Sequence, residues 1–237
     1  MNKLTNTKKG FLGQVSILMV VLLLCGWTRI GLAHEHKIDL QALTQETQKM
    51  SQEVNEITFV WWIPEEFWRI SFDPTMTEAQ TDEFIKVLRP YTFIAVVVGK
   101  VGPFGGITYR SESSIRADIQ IKDSQGIRYR PLGEDKIDAD AKDFLSMAKS
   151  ILANMGGSMG ENLCVILFPA RKKEGQRIAD AKGEGSLSVK LGEKEFRWRL
   201  PLGSLLPPKI CPTCKEKLSG AYKFCPWDGT KLYKDKF

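Results

Sequence analysis

The run Tyr91-Thr92-Phe93-Ile94-Ala95-Val96-Val97-Val98 constrains this chain more than any other. It is apolar without alternation, apart from Thr92. Successive side chains of a strand point to opposite faces, so a strand of this composition must be covered on both. The run therefore predicts a central strand with one layer above its sheet and another below.

The segments around it predict the partners. Ile57 to Ile63 is β-branched and aromatic, ends at Pro64, and reads as a strand. Phe67 to Phe72 reads as a second strand. Thr77 with Gln80 three residues on opens a helix through a capping box, and Ala79, Phe84, Val87 and Leu88 give it an apolar face. Gly102 to Gly106 is a turn cluster. It lacks the Lys-Ser/Thr of a phosphate-binding loop. Ile115, Ala117, Ile119 and Ile121 alternate with polar residues, as a half-exposed strand does. Asp123 to Gly126 then turns the chain back through Ile127 to Leu132 as a hairpin.

Ala139 to Met155 reads as a helix. Asp138 or Asp140 caps it, Phe144, Met147, Ala148, Ile151 and Leu152 are buried, and Gly156-Gly157 ends it. Asn162 to Phe168 is another buried strand, with Cys164 a packed free thiol. Arg171 to Gly183 reads as a charged, mobile connection. Ser186 to Leu191 and Glu195 to Leu200 pair through Gly192, and Pro201 to Pro208 is a linker. Upstream, Leu40, Leu43, Thr47, Met50, Val54 and Ile57 alternate spacings of three and four, which predicts a helix over Ile38 to Ile57. It packs on its own domain or, alternatively, acts as a spacer or dimerising helix. The fold class is α+β: a mostly antiparallel sheet or sandwich with inserted helices. The expected division is a signal segment over 1–33, a leading helix over 34–55, a body over 56–206 and a small module over 207–237.

Charge must be located before it is interpreted. The chain has 34 Lys+Arg against 28 Asp+Glu, a net +6. Lys3, Lys8, Lys9 and Arg29 fall in the first 33 residues, where no acid does. Seven lysines and three acids follow from Lys209 onward, leaving His34 to Pro208 with 23 bases against 25 acids. The body is not basic, so the composition argues against a nucleic-acid partner.

Residues 1–10 are polar and positive, and Ile17 to Trp27 is apolar apart from Gly26. As a helix this run rises about 16 Å, too short for a hydrocarbon core of about 30 Å. It fits the apolar region of a signal peptide. Gly31-Leu32-Ala33 supplies small residues for cleavage after Ala33. The expectation is export to the periplasm or exterior. Its alternative is an uncleaved membrane anchor, the one membrane contact this reading foresees.

His34 and His36 are the only histidines. The body therefore has no imidazole for a Ser-His-Asp or Cys-His arrangement. If cleavage falls after Ala33, His36 becomes the third residue, where it could join the free amine in binding Cu(II) or Ni(II); a plain polar end is the alternative. Glu65-Glu66 beside Trp61, Trp62 and Trp68 is the most suggestive carboxylate cluster. It reads either as the site of a carboxylate-dependent envelope hydrolase or as a turn beside core tryptophans.

The tail holds the strongest motif. Cys211-Pro212-Thr213-Cys214 is followed ten residues later by Cys225-Pro226-Trp227-Asp228-Gly229. The second element repeats the first, with Asp in place of the last Cys. Two turns that each present two ligands at i and i+3 suit tetrahedral Zn2+, and Asp is an admissible oxygen ligand. These residues resemble a zinc ribbon of the compact type reading CPxC, then FCPxCGTxL. The resemblance covers about 30 residues and implies Cys211, Cys214, Cys225 and Asp228 as ligands of a structural or interaction module. A disulfide such as Cys214–Cys225 and a redox-active Cys211/Cys214 pair are the alternatives. The tail lysines offset the charge of a thiolate-rich zinc site.

The leading functional expectation is a non-enzymatic, exported zinc-binding protein that has an envelope protein as partner. An envelope hydrolase and a periplasmic metal-handling protein are the alternatives.

Overall fold

The computed structural model describes residues 37–72 and 75–233. The expected export segment and its expected cleavage site, together with His34 and His36, lie outside them. In chain order the described elements are α1 (Leu40–Thr47), β1 (Gln48–Glu53), β2 (Glu56–Ile63), α2 (Glu65–Ser71), α3 (Glu78–Leu88), β3 (Tyr91–Val101) and β4 (Ile107–Tyr109). There follow α4 (Glu112–Asp118), β5 (Ile119–Lys122), β6 (Arg128–Tyr129), α5 (Ala139–Gly156) and β7 (Cys164–Pro169). The chain closes with β8 (Gly185–Leu191), β9 (Lys194–Leu200), β10 (Lys209–Ile210) and β11 (Lys217–Leu218). The class is α+β, its strands paired antiparallel and no barrel closed.

β3 is the central strand that its composition requires, with Tyr91 to Gly99 all buried. Its sheet runs β1-β2-β3, and β4 and β7 share the far edge of β3 end to end. The register Ile63↔Phe93 and Trp61↔Ala95 puts these four side chains on one face. There the Trp68 ring of α2 packs edge-on against Phe93 at 5.5 Å and against Phe144 of α5 at 5.1 Å. The opposite face carries Trp62 and Ile94, which are also paired. It meets the second sheet, β6-β5-β8-β9, where Trp198 of β9 lies 6.1 Å from Trp62. The layers are thus helices, first sheet and second sheet. β9 of the second sheet shows half-exposed alternation, with Phe196, Trp198 and Leu200 inward.

Five expectations are corrected. The helix expected over Ile38 to Ile57 stops at Thr47, and Gln48 is already extended. Two buried indoles explain the stop. Trp61 Nε1 donates to Thr47 Oγ1 at 3.1 Å, and Trp198 Nε1 donates to the Thr47 carbonyl at 3.0 Å. The chain then pairs with β2 and turns through Val54-Asn55, with Asn55 at φ 64°. Helix-forming residues become an edge strand because β2 offers them hydrogen bonds.

Phe67 to Ser71 is not a strand but part of α2, and Phe72 is its extended C-cap. Pro64 precedes the helix, and Glu65 and Glu66 sit in its first turn, where a helix N-terminus favours negative charge. The adjacent rings of Phe67 and Trp68 both reach the sheet, and this aromatic density imitated a strand. Residues 112–118 form α4, capped by Ser111, so the strand expected from Ile115 begins at Ile119. Ile115 and Ile119 are four apart, a spacing both patterns share.

The connection over 171–183 is pinned. Arg171 bridges Arg177, Ile178 and Ala181 are buried, and Lys172 Nζ lies 2.8 Å from Asp123 Oδ2. The segment over 201–208 is docked as well. Leu202 and Leu205 join the core. The Gly203 and Ser204 N–H groups each donate at 2.8 Å to the Glu46 carboxylate of α1.

The remaining elements form where expected, but the buried faces of α3 and α5 differ from the expected ones. Thr77 and Gln80 form the capping box, although Ile85 and Leu88 are the residues α3 buries and Phe84 stays exposed. In α5, Phe144, Ala148 and Leu152 are buried while Met147 faces solvent. Cys164 is a buried free thiol, its ionisation pushed up chiefly by burial. None of the described helices is long and apolar enough to cross a membrane.

Candidate metal centre

Two short hairpin turns build the tail. β10 and β11 flank the first, and a bridge between Phe224 and Lys231 flanks the second. The turns repeat each other bond for bond. Lys215 N–H donates to the Cys211 carbonyl at 3.0 Å, and Gly229 N–H to the Cys225 carbonyl at 3.0 Å. Cys211 N–H donates to the Glu216 carbonyl at 3.0 Å, and Cys225 N–H to the Thr230 carbonyl at 2.8 Å. Both turns need a left-handed residue just after the second ligand. Gly229 meets that need at φ 73°, and Lys215 adopts φ 63° despite its Cβ.

This repetition brings all four expected ligands together. One donor atom each from Cys211, Cys214, Cys225 and Asp228 lies within 4.8 Å of every other. Cys214 Sγ and Cys225 Sγ are 3.7 Å apart, and Cys211 Sγ lies 3.3 Å from Asp228 Oδ2. Zn–S bonds of about 2.3 Å set a tetrahedral S···S edge of roughly 3.8 Å, so these two pairs are spaced like neighbours in a first coordination sphere. A disulfide needs about 2.05 Å, and the four described cysteines are all free. Asp228 is held for single-oxygen ligation, since its Oδ1 accepts the Thr230 N–H at 2.8 Å while Oδ2 faces the thiols. Thr230 is a supporting residue that sequence reasoning passed over. Its hydroxyl lies 3.0 Å from that of Thr213, tying one turn to the other.

The donors compete for negative charge. Hydrogen bonds from the Thr230 side chain and backbone hold the Asp228 carboxyl well below the usual range. Burial opposes ionisation of Cys211, yet N–H groups of Cys214 and Thr213 outweigh it and lower that thiol. At Cys214 the Glu216 N–H favours the thiolate. Burial and the neighbouring Cys211, Cys225 and Asp228 prevail and push the thiol up to about 12. A divalent cation at the centre would relieve this competition and release the protons. Cys211 and Cys225 are buried while Cys214 and Asp228 are exposed, so the cluster is open on one side.

The carboxylate–tryptophan cluster has a different character. Trp61, Trp62 and Trp68 are core residues. Burial raises the energy of ionised Glu65, but ion pairs with Arg177 and Arg89 prevail and hold its carboxyl low. Glu66 is pushed up, chiefly by burial, and its Oε2 is unpartnered. The cavity beside it, lined by Trp62, Trp68 and Tyr91, measures about 30 Å³. That is room for a water rather than a sugar ring.

No protein-family model matches the chain, and neither a curated protein nor a solved structure matches it.

Proposed function

We propose that this chain is an exported, non-enzymatic zinc-binding protein of the cell envelope. In this reading an α+β body forms the structural or interaction module, and the tail is a zinc ribbon whose site has three cysteine ligands and one aspartate. The observation that carries the metal assignment is the convergence of Cys211, Cys214, Cys225 and Asp228 within 4.8 Å. Three thiolates favour a soft or borderline cation, and a closed set of four protein ligands suits structural Zn2+. The interaction role draws support from the buried tryptophans and from Glu65, whose carboxylate is taken up by arginines.

Elemental analysis of the purified protein tests the metal assignment. About one zinc per chain is expected, falling to near zero in Cys211→Ser. Protein without metal and with Cys214 oxidised to Cys225 would overturn it. Detection of the chain in the periplasmic or secreted fraction, beginning at His34, tests the export reading.

A further inference from the structure

The tail points unusual side chains at solvent. Cys225 and Leu232 face its interior, so Phe224, Lys231 and Tyr233, one position away on the same hairpin, face out. Phe224 pairs with Lys231 across the hairpin, and the Lys231 ammonium lies 5.6 Å from the centre of the Tyr233 ring. The first hairpin repeats the scheme: Cys211 and Leu218 turn inward, while Ile210 and Lys217 pair and are exposed. Trp227, in the second turn, is 75% exposed, whereas Trp61, Trp62, Trp68 and Trp198 of the body are all buried. Each hairpin thus presents a large apolar side chain next to an ammonium on its outward side, and Trp227 is exposed in the turn of the second.

Packing does not account for these side chains, since they face away from the tail core. Charge balance at the metal site does not account for all the lysines either. Seven lysines and one Zn2+ face three carboxylates and three thiolates from Lys209 onward, which leaves the loaded tail at about +3. Aromatic rings interleaved with ammonium groups suit an anionic interface that has an apolar layer behind it. Trp and Tyr favour the headgroup level of a bilayer, and each lysine near an anionic leaflet adds about 1 kcal/mol. Single-stranded nucleic acid shares part of this chemistry. The export signal favours lipid.

We propose that the outward side of the second tail hairpin docks on an anionic phospholipid surface. Phe224, Tyr233 and the turn residue Trp227 enter the headgroup layer, and Lys231 lies against the phosphates. The choice of lipid rests on the export reading above.

The test uses the full chain and brominated-lipid quenching of tryptophan fluorescence. Subtracting the signal of Trp227→Phe from that of the wild type isolates Trp227, whatever the N-terminal segment does in the same vesicles. The expected result is quenching of this difference signal by vesicles of brominated phosphatidylglycerol but not of brominated phosphatidylcholine, with release in about 0.5 M salt. The substitution Lys231→Glu should weaken the effect at least about fivefold. A difference signal that phosphatidylglycerol leaves unquenched overturns the proposal. So does one that responds only to single-stranded DNA, or equally to both lipids. Zinc content measured in parallel separates this outcome from the metal assignment, and the same content in wild type and both variants shows that the tail remains folded.

Discussion

The body and the tail solve the same problem by different means. The body packs two sheets and their helices around one apolar core running from Leu43 to Leu205. The core of the tail is Cys211, Leu218, Cys225 and Leu232, half of it candidate ligands. Their acidic groups differ in the same way. In the body, Asp123 accepts from Lys172, from Tyr129 at 3.1 Å and from the Gln125 and Ile127 N–H groups, each at 2.9 Å. Glu65 is met by arginines and Glu46 by backbone N–H groups. In the tail four acidic donors face one another, and among the described residues no lysine or arginine forms an ion pair with Asp228. The body supplies its own counter-charges, and the tail needs one from outside. Chains this short rarely hold a fold by burial alone.

Metal removal should separate the two regions most sharply. Structural zinc contributes on the order of 10 kcal/mol to small domains. Chelation, or Cys211→Ser, is expected to open residues 209–233 to protease while the body stays intact. The connecting turn Ser219-Gly220-Ala221 packs so closely on the segment over 203–207 that a Cβ on Gly203 or Gly220 would collide with Ser219 Oγ or the Pro207 carbonyl. The thermal transition of the body should therefore fall slightly rather than stay fixed. A body that melts together with the tail would erase the comparison.

The converse experiment is Trp198→Ala. It removes the ring that packs on Trp62 and the indole N–H that ends α1. A loss of about 3–5 kcal/mol is expected in denaturant titrations, with zinc content unchanged. Asp123→Asn should cost about 2–3 kcal/mol, because the Lys172 ammonium is only 8% exposed and loses its counter-charge. Burial disfavours ionised Asp123, but Lys172 and the surrounding donors prevail and lower its pKa. Its stabilisation is therefore present above the unfolded-state value and lost as pH falls through the folded one. Acid titration of wild type and variant should converge at low pH.

How far the fold could be read depended on whether local pattern and tertiary demand agreed. β3, β8 and β9 were legible because composition and burial point the same way, and α3 and α5 were legible as elements although Phe84 and Met147 face solvent. β1 was not, since Gln48 to Glu53 has helical residues and becomes a strand only through Trp61, Trp198 and the open edge of β2. α2 was hidden by its aromatic density. The clustering of Cys211, Cys214, Cys225 and Asp228 was legible because knuckle turns are local: each places two candidate ligands within four residues. The outward face of the tail was not, because exposure depends on which neighbours turn inward.

Glu66→Gln tests a smaller feature of the body. Burial raises the Glu66 pKa, so the fold favours its protonated form. That contribution is complete below the unfolded-state pKa and lost as pH rises through the folded one. The amide variant should be more stable than wild type by on the order of 1 kcal/mol at neutral pH, and the gain should vanish in acid. A gain independent of pH would show that Glu66 is not the titrating group.

The smallest effect is the most specific to the tail. Lys215 and Gly229 occupy equivalent left-handed positions, at φ 63° and 73°. A side chain in that region costs about 1–2 kcal/mol, and the greater freedom of glycine in the unfolded chain offsets part of the relief. Lys215→Gly should therefore gain roughly 0.5 kcal/mol, read as about a twofold rise in zinc affinity by competition with a chelator. Gly229→Lys should lose affinity by more than that, since it imposes the strain on a turn that now lacks it. Opposite signs at the two positions would establish that the turns are interchangeable halves of one site. Equal signs would show that the turn with two cysteines and the turn with Asp228 are held by different forces.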